Sequence, residues 1–190
     1  MNKNSKLKIR NSDLGFTLME AVVATALFAF VVSSVIGVYL SVIQLDRKAR
    51  SQRIVAQNAR FIMDFLAKEV RNGSINYNCS QWNGIVVGTS NLCVQNQANE
   101  LERFYLSGTN LKLEKNNSST NMNSSKVLVS DLKFYVSPAE DPYTPAKTYN
   151  VHPHVTVVLE LTSNYGTAPT AVAKIRIQDT FAPRYYPSRQ

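Results

Sequence analysis

The chain has 190 residues, with 21 Lys and Arg against 13 Asp and Glu, and its formal net charge is +8. It contains two His and two Cys, and it has no Gly-rich phosphate loop, no HExxH motif and no Ser/His/Asp order of a hydrolase. This composition argues against an enzyme, and the basic balance leaves open a partner that carries acidic groups.

The first 15 residues form a basic leader that ends in glycine. Its net charge is +3, and the remaining 175 residues carry the other +5. The charged residues of the leader are Lys3, Lys6, Lys8, Arg10 and Asp13. A secretory signal peptide would contain an apolar core before its cleavage site, and this leader has none.

A membrane-length apolar segment follows the leader. Residues 21–45 include no charged side chain, and about 20 apolar residues in a helix cross the hydrocarbon core of a bilayer. One carboxylate, Glu20, lies at the start of this segment, where a charge is costly. An ordinary membrane anchor with a chance Gly-Phe pair is the alternative, but it gives Glu20 no role. Basic residues flank the segment almost equally on both sides, so the positive-inside rule alone assigns no orientation.

Helical periodicity continues beyond the apolar segment. Apolar residues at steps of three and four define one helix face, which consists of Val55, Ala59, Ile62, Leu66 and Val70. Asn72-Gly73 then predicts a helix end at which Gly73 adopts the left-handed conformation. We therefore expect one helix over residues 16–71, with an apolar part (16–45) and an amphipathic continuation (46–73).

Residues 74–190 show short β-type runs with polar connections and predict one head domain. Residues 101–106 and 111–114 flank Ser107-Gly108-Thr109-Asn110, which predicts a hairpin. Residues 116–125 are almost wholly Asn, Ser and Thr, which predicts an exposed loop.

The rest of the head predicts further strands and one more loop. Residues 126–137 contain two apolar alternations, and residues 155–161 and 173–177 alternate apolar and polar side chains. Residues 138–150 contain three prolines and predict a loop. The predicted fold class is α+β, a long helix on an antiparallel sheet, and the head of about 115 residues is large enough for one core.

The junction between leader and apolar segment is Leu14-Gly15-Phe16-Thr17-Leu18-Met19-Glu20. It resembles the processing site of type IV prepilins and type II secretion pseudopilins. The resemblance implies cleavage by prepilin peptidase between Gly15 and Phe16, and N-methylation of Phe16. It further implies a pilin-like fold, a cytoplasmic leader, and a single pass through the bacterial inner membrane with the head on the periplasmic or extracellular side.

The same resemblance implies a role for Glu20 in subunit assembly, as the partner of the amino terminus of Phe16 in a neighbouring subunit. The expected partners are other pilin or pseudopilin subunits, the inner-membrane assembly platform, and membrane lipid before assembly. Two head segments, residues 129–136 and 175–184, and residues 60–71 at the end of the helix are similar to J-type minor pseudopilins and W-type minor pilins. We therefore expect a subunit that initiates or caps a type II secretion pseudopilus at the filament tip. The alternative is a minor pilin of a type IV pilus or competence system, acting in priming, adhesion or DNA uptake.

Two cysteines after an export-type segment predict a disulfide between Cys79 and Cys93, with two free thiols as the alternative. We expect no metal, because neither cysteine has a CxxC partner and no third ligand accompanies His152-Pro153-His154. We also expect no cofactor. Nucleic-acid binding is not favoured, since the basic residues are scattered and the Arg184-Tyr185-Tyr186 tail is the one suggestive stretch.

Overall fold

The computed structural model describes residues 15–79, 88–142, 144, 151–164 and 172–184. Within these residues the chain forms one helix, α1 (Leu18–Asn72), and eight strands. The strands are β1 (Ser74–Ile75), β2 (Asn91–Gln95), β3 (Leu101–Ser107), β4 (Asn110–Lys115), β5 (Ser118–Asn121), β6 (Val127–Ser137), β7 (His154–Ser163) and β8 (Lys174–Phe181). The predicted α+β class is confirmed. Residues 1–14, most of the predicted loop at 138–150 and Tyr185-Tyr186 lie outside the described residues.

The chain divides into two compact units, residues 1–43 and residues 44–190. The described part of the first unit is the apolar part of α1. The second unit holds the rest of α1 and both sheets. One sheet has the order β1-β2-β3-β4-β5 and the other β6-β7-β8, and all the pairings are antiparallel.

The amphipathic part of α1 packs into the core of the second unit, as its periodicity predicts. All five residues of the predicted apolar face are buried, and the charged side chains of Arg60, Asp64, Lys68 and Arg71 are exposed. The core cluster combines this face with side chains from both sheets, among them Phe104 of β3 and Phe134 of β6. Burial of this stripe is what stabilises the helix, because its polar side chains gain little from folding.

The helix ends next to Gly73 as predicted, but the left-handed conformation that we predicted for Gly73 is wrong. Gly73 does not adopt the left-handed conformation, which among the described glycines is found at Gly108. Instead the chain passes very close to β2 at this point. A Cβ atom on Gly73 would lie 2.6 Å from the carbonyl oxygen of Gln95 and 2.6 Å from Cγ1 of Val94. Glycine is needed here because two backbone segments approach each other.

The hairpin prediction is confirmed. Ser107 pairs with Asn110, so Gly108 and Thr109 form a two-residue turn between β3 and β4, and Gly108 has a φ of 62°. Such a turn favours residues that tolerate positive φ.

The two apolar alternations in residues 126–137 belong to a single strand, β6. Its pairing with β7 shifts between Val129 and Asp131, which places a bulge at Ser130. The buried residues therefore change from odd positions before the bulge to even positions after it, beginning with Leu132. An extra residue in one strand reverses which side chains face the core.

Two features of the first sheet differ from the predictions. Residues 118–121, predicted as part of a loop, form the edge strand β5 beside β4, with all four side chains exposed. Strand β2 was not predicted, although Leu92, Cys93 and Val94 are all buried within it. Backbone pairing with a neighbouring strand can form a polar strand that has no buried side chain, so β5 leaves no apolar signal.

We expect Gly73→Ala to lower the free energy of unfolding of the second unit by about 1–3 kcal/mol, because backbone atoms must move to admit the methyl group. Thermal unfolding followed by circular dichroism measures the change. Gly37→Ala is the matched control, since a Cβ at Gly37 meets nothing within 4 Å. An unchanged unfolding midpoint for Gly73→Ala would contradict the close approach to β2.

Candidate functional site

The start of α1 is built around a cap supplied by Thr17. The Thr17 hydroxyl oxygen accepts a hydrogen bond from the backbone N–H of Glu20 at 3.3 Å, and the Thr17 carbonyl accepts one from Ala21 at 3.1 Å. Thr17 and Glu20 thus match the Ser/Thr-x-x-Glu pattern of a helix N-terminus. The capping role of Thr17 was not predicted, although the three-residue spacing between Thr17 and Glu20 is visible in the sequence.

Glu20 is exposed in the first turn of α1, where a negative charge interacts favourably with the helix dipole. Among the described residues no cation lies within ion-pair distance of its carboxylate. The local helix geometry accounts for an acid at this position while it faces water. It supplies no countercharge that would compensate the acid in an apolar environment.

The Gly15-Phe16 junction is sterically open. A Cβ atom on Gly15 would meet nothing within 4 Å, and the Phe16 side chain is 69% exposed. Both residues precede the first helical residue, Leu18, so their peptide bond is not protected by helical hydrogen bonds. The peptide bond between Gly15 and Phe16 is therefore exposed and lies outside regular secondary structure, where proteolysis is easiest.

The apolar part of α1 has no partner within the described chain. The helix is long and apolar enough to cross a membrane, and no residue in its most hydrophobic stretch is buried. Large side chains are exposed along its whole length, from Leu18 at 81% to Leu45 at 67%. Water-soluble proteins rarely expose so much contiguous apolar surface, so this surface needs lipid or other apolar helices around it.

The serine and threonine hydroxyl groups in the apolar segment are satisfied within the helix. Each donates a hydrogen bond to the carbonyl oxygen four residues earlier: Thr25 at 3.0 Å, Ser33 at 2.8 Å, Ser34 at 2.9 Å and Ser41 at 2.9 Å. An unpaired polar group in hydrocarbon is costly, and this back-bonding removes the cost. The segment is therefore chemically compatible with lipid on every side.

Cys79 and Cys93 form a disulfide, as predicted, with their Cα atoms 6.1 Å apart. Cys93 lies in β2 and Cys79 follows β1, and both side chains are buried. The bond joins the chain leaving α1 to the strand against which Gly73 packs. It thus stabilises the connection between helix and sheet.

A second cluster of charged groups joins β3, β4 and the end of α1. The ammonium group of Lys115 lies 2.7 Å from a Glu100 oxygen and 2.9 Å from a Glu102 oxygen. Hydrogen bonds from Lys115, Asn96 and Asn116 lower the pKa of Glu100 to about 2, while those from Lys115 to Glu100 and Glu102 raise the pKa of Lys115. Burial, followed by the neighbouring charge of Glu102, raises the pKa of Glu69. These groups interact with one another, which favours a structural role for the cluster.

The two histidines are not part of a larger cluster. His154 begins β7, and His152 lies in the segment just before it. Among the described residues no group of three or more His, Cys, Asp or Glu side chains is arranged to hold a metal ion.

No protein-family model, curated protein or solved structure matches this chain. The residues that precede and begin α1 therefore carry the argument about function.

Loss of the disulfide should destabilise the second unit. We expect Cys93→Ser to lower the free energy of unfolding by about 3 kcal/mol, the chain-entropy value for a closed loop of about 15 residues. Mass spectrometry after alkylation, with and without reductant, should show a protected pair in the native exported protein. Two freely alkylated thiols in that protein would contradict the bond.

Proposed function

We propose that this chain is a minor-pseudopilin-like structural subunit that helps to initiate or cap a type II secretion pseudopilus. The observation that carries the proposal is the exposed Gly15-Phe16 junction, followed five residues into the mature chain by Glu20 and by an apolar helix without a partner. A basic leader precedes these features, and a compact head follows them. The role is structural rather than enzymatic.

The unpartnered surface of α1 supports assembly as the function. Before assembly the apolar segment would lie in the inner membrane, with the leader cytoplasmic and the head on the other side. In a filament the same surface would pack against the apolar helices of neighbouring subunits. One surface serves both states because lipid tails and apolar side chains are similar surroundings for it.

Glu20 supports ordered assembly rather than simple anchoring. In an apolar environment its carboxylate requires a countercharge, and the described residues supply none. Cleavage after Gly15 would create a new amino group at Phe16. The amino group of a neighbouring subunit could then pair with Glu20 and define the axial position of one subunit relative to the next.

A minor pilin of a type IV pilus or competence system is the second candidate. Residues 129–136 and 175–184 are similar to W-type minor pilins as well as to J-type minor pseudopilins, so they support both candidates. Both candidates use the same processing and assembly chemistry. Complementation separates them, because a secretion defect indicates the pseudopilus and a piliation or DNA-uptake defect indicates the pilus.

Prepilin peptidase should remove residues 1–15 and leave a methylated Phe16 as the first residue. Intact-mass measurement of the membrane-extracted protein tests this expectation. Gly15→Val should block the cleavage, because a branched side chain next to the cleaved bond hinders attack. Gly37→Val is the matched control, as Gly37 also lies in open surroundings but is distant from the junction. A chain that still begins at Met1 when active peptidase is present would end the prepilin interpretation.

Glu20→Leu should leave membrane insertion and cleavage intact and reduce incorporation into the filament. The substitution removes the carboxylate that pairs with the neighbouring amino terminus and adds only apolar surface. The assay is complementation of secretion or piliation in a strain that lacks this protein, with membrane levels checked by immunoblot. We expect a partial defect, because a subunit at the tip contacts few neighbours.

Asp64→Ala is the control for Glu20→Leu, since Asp64 is an exposed acid on the same helix. It should complement fully. Full complementation by Glu20→Leu would show that the acid has no role in assembly.

A further inference from the structure

A group of basic side chains follows the apolar segment of α1 at once. We call Arg47, Lys48 and Arg53 the basic collar. All three side chains are exposed, and the last residue of the uncharged segment, Leu45, precedes Arg47 by two positions. The neighbouring Arg50 differs from them because its guanidinium group pairs with Asp46 at 2.9 Å.

The collar has no acidic partner within the described part of the chain. Several basic residues of the head do have one: Arg103 pairs with Glu114, Lys115 with Glu100 and Glu102, and Lys174 with Glu160. Other bases of the second unit, such as Arg60, Lys126 and Lys133, also have no acidic partner among the described residues, but the three collar residues lie within seven consecutive positions directly after the apolar segment.

The collar surrounds the helix instead of forming one stripe. At about 100° per residue, Lys48 is rotated by about 100° from Arg47, and Arg53 by about 240°. A partner protein that docks from one side would contact only part of such a set. A lipid surface surrounds the helix and can contact all three residues.

The depth of the collar also fits a lipid surface. At 1.5 Å per residue, Arg47 and Lys48 lie about 3–5 Å beyond Leu45 along the helix, and Arg53 lies about 12 Å beyond it. The polar headgroup layer is about 5–8 Å thick on each side of the hydrocarbon core. The long side chain of Arg53 can extend back toward this layer.

We propose that the basic collar binds the acidic headgroups of phospholipids on the head side of the membrane. The inference rests on the proposed membrane span and adds a ligand to it. Leader removal makes this contact more important, because the leader takes Lys3, Lys6, Lys8 and Arg10 away from the opposite side of the span. In the processed chain the bases close to the span then lie on the head side, where they retain the unassembled subunit at the membrane surface.

The test uses the full chain in mild detergent, titrated with phosphatidylglycerol or with phosphatidylcholine, and native mass spectrometry to count bound lipids. The variant carries Arg47→Gln, Lys48→Gln and Arg53→Gln together. The control carries Arg60→Gln, Lys126→Gln and Lys133→Gln, which remove the same charge from exposed positions elsewhere in the second unit. Both variants are prepared with the same amino terminus, so the comparison does not depend on whether the leader is cleaved.

The unsubstituted chain should prefer phosphatidylglycerol, and the preference should fall as salt is added. The collar variant should lose about 100-fold in apparent affinity for phosphatidylglycerol, since each base near an acidic surface contributes roughly a factor of five. The control should change little.

Equal binding of the two lipids, or equal losses in variant and control, would overturn the proposal. So would an unchanged lipid preference in a collar variant that fails to enter the filament, because the collar would then contact acidic groups of a neighbouring subunit. A failure of cleavage or insertion would overturn the proposed function and is measured separately.

Discussion

The helix α1 is one continuous hydrogen-bonded segment, but its two parts have different surroundings. Its later part buries an apolar stripe in the core of the second unit, and its earlier part has no apolar partner among the described residues. A helix can do this because all its backbone groups bond internally, whatever surrounds it. The surroundings then decide only which side chains are acceptable. This constraint explains why the earlier part is apolar on every side while the later part is amphipathic.

The few polar groups in the earlier part follow from the same constraint. The serine and threonine hydroxyls donate hydrogen bonds to carbonyl oxygens of the helix, so they need no hydrogen-bond partner in lipid. These residues are Thr25, Ser33, Ser34 and Ser41. Glu20 cannot do this, because a carboxylate needs a countercharge and not only a hydrogen-bond donor. The contrast separates the serine and threonine hydroxyls, which the helix itself satisfies, from the carboxylate, to which we assign a partner in the proposed assembly. It is the strongest physical reason to regard Glu20 as functional.

Much of the fold could be predicted because the apolar side chains that become buried recur in the sequence at the spacing of a helix or a strand. The helix face from Val55 to Val70 and the β3–β4 hairpin are examples, and both were predicted at nearly their observed positions. The bulge at Ser130 was already present as a change of phase between two alternations, but a phase change alone does not distinguish one bent strand from two strands. Strand β5 could not be found in this way, because backbone pairing with β4 holds it and its side chains stay in solvent. The role of Gly73 depends on the approach of β2, and no local pattern records such a long-range contact.

The candidate site can be described from the sequence with less tertiary information than the head, and the reason is physical. Its parts, the leader charges, Gly15-Phe16, Glu20 and the apolar segment, are consecutive in the chain, so their spacing is visible without a tertiary structure. The structure adds Thr17, whose hydroxyl oxygen caps the backbone N–H of Glu20, while the Glu20 side chain contributes separately through its negative charge in the first helical turn. Replacing Glu20 by Asp would keep a negative charge in the first turn of the helix. It would shorten the side chain, so the carboxylate would lie farther from the amino group of a neighbouring subunit in the proposed assembly. In the proposed assembly, Glu20→Asp therefore separates the two roles more sharply than removal of the charge. The helix start remains stable, and complementation measures the effect of the longer distance between the carboxylate and the neighbouring amino group.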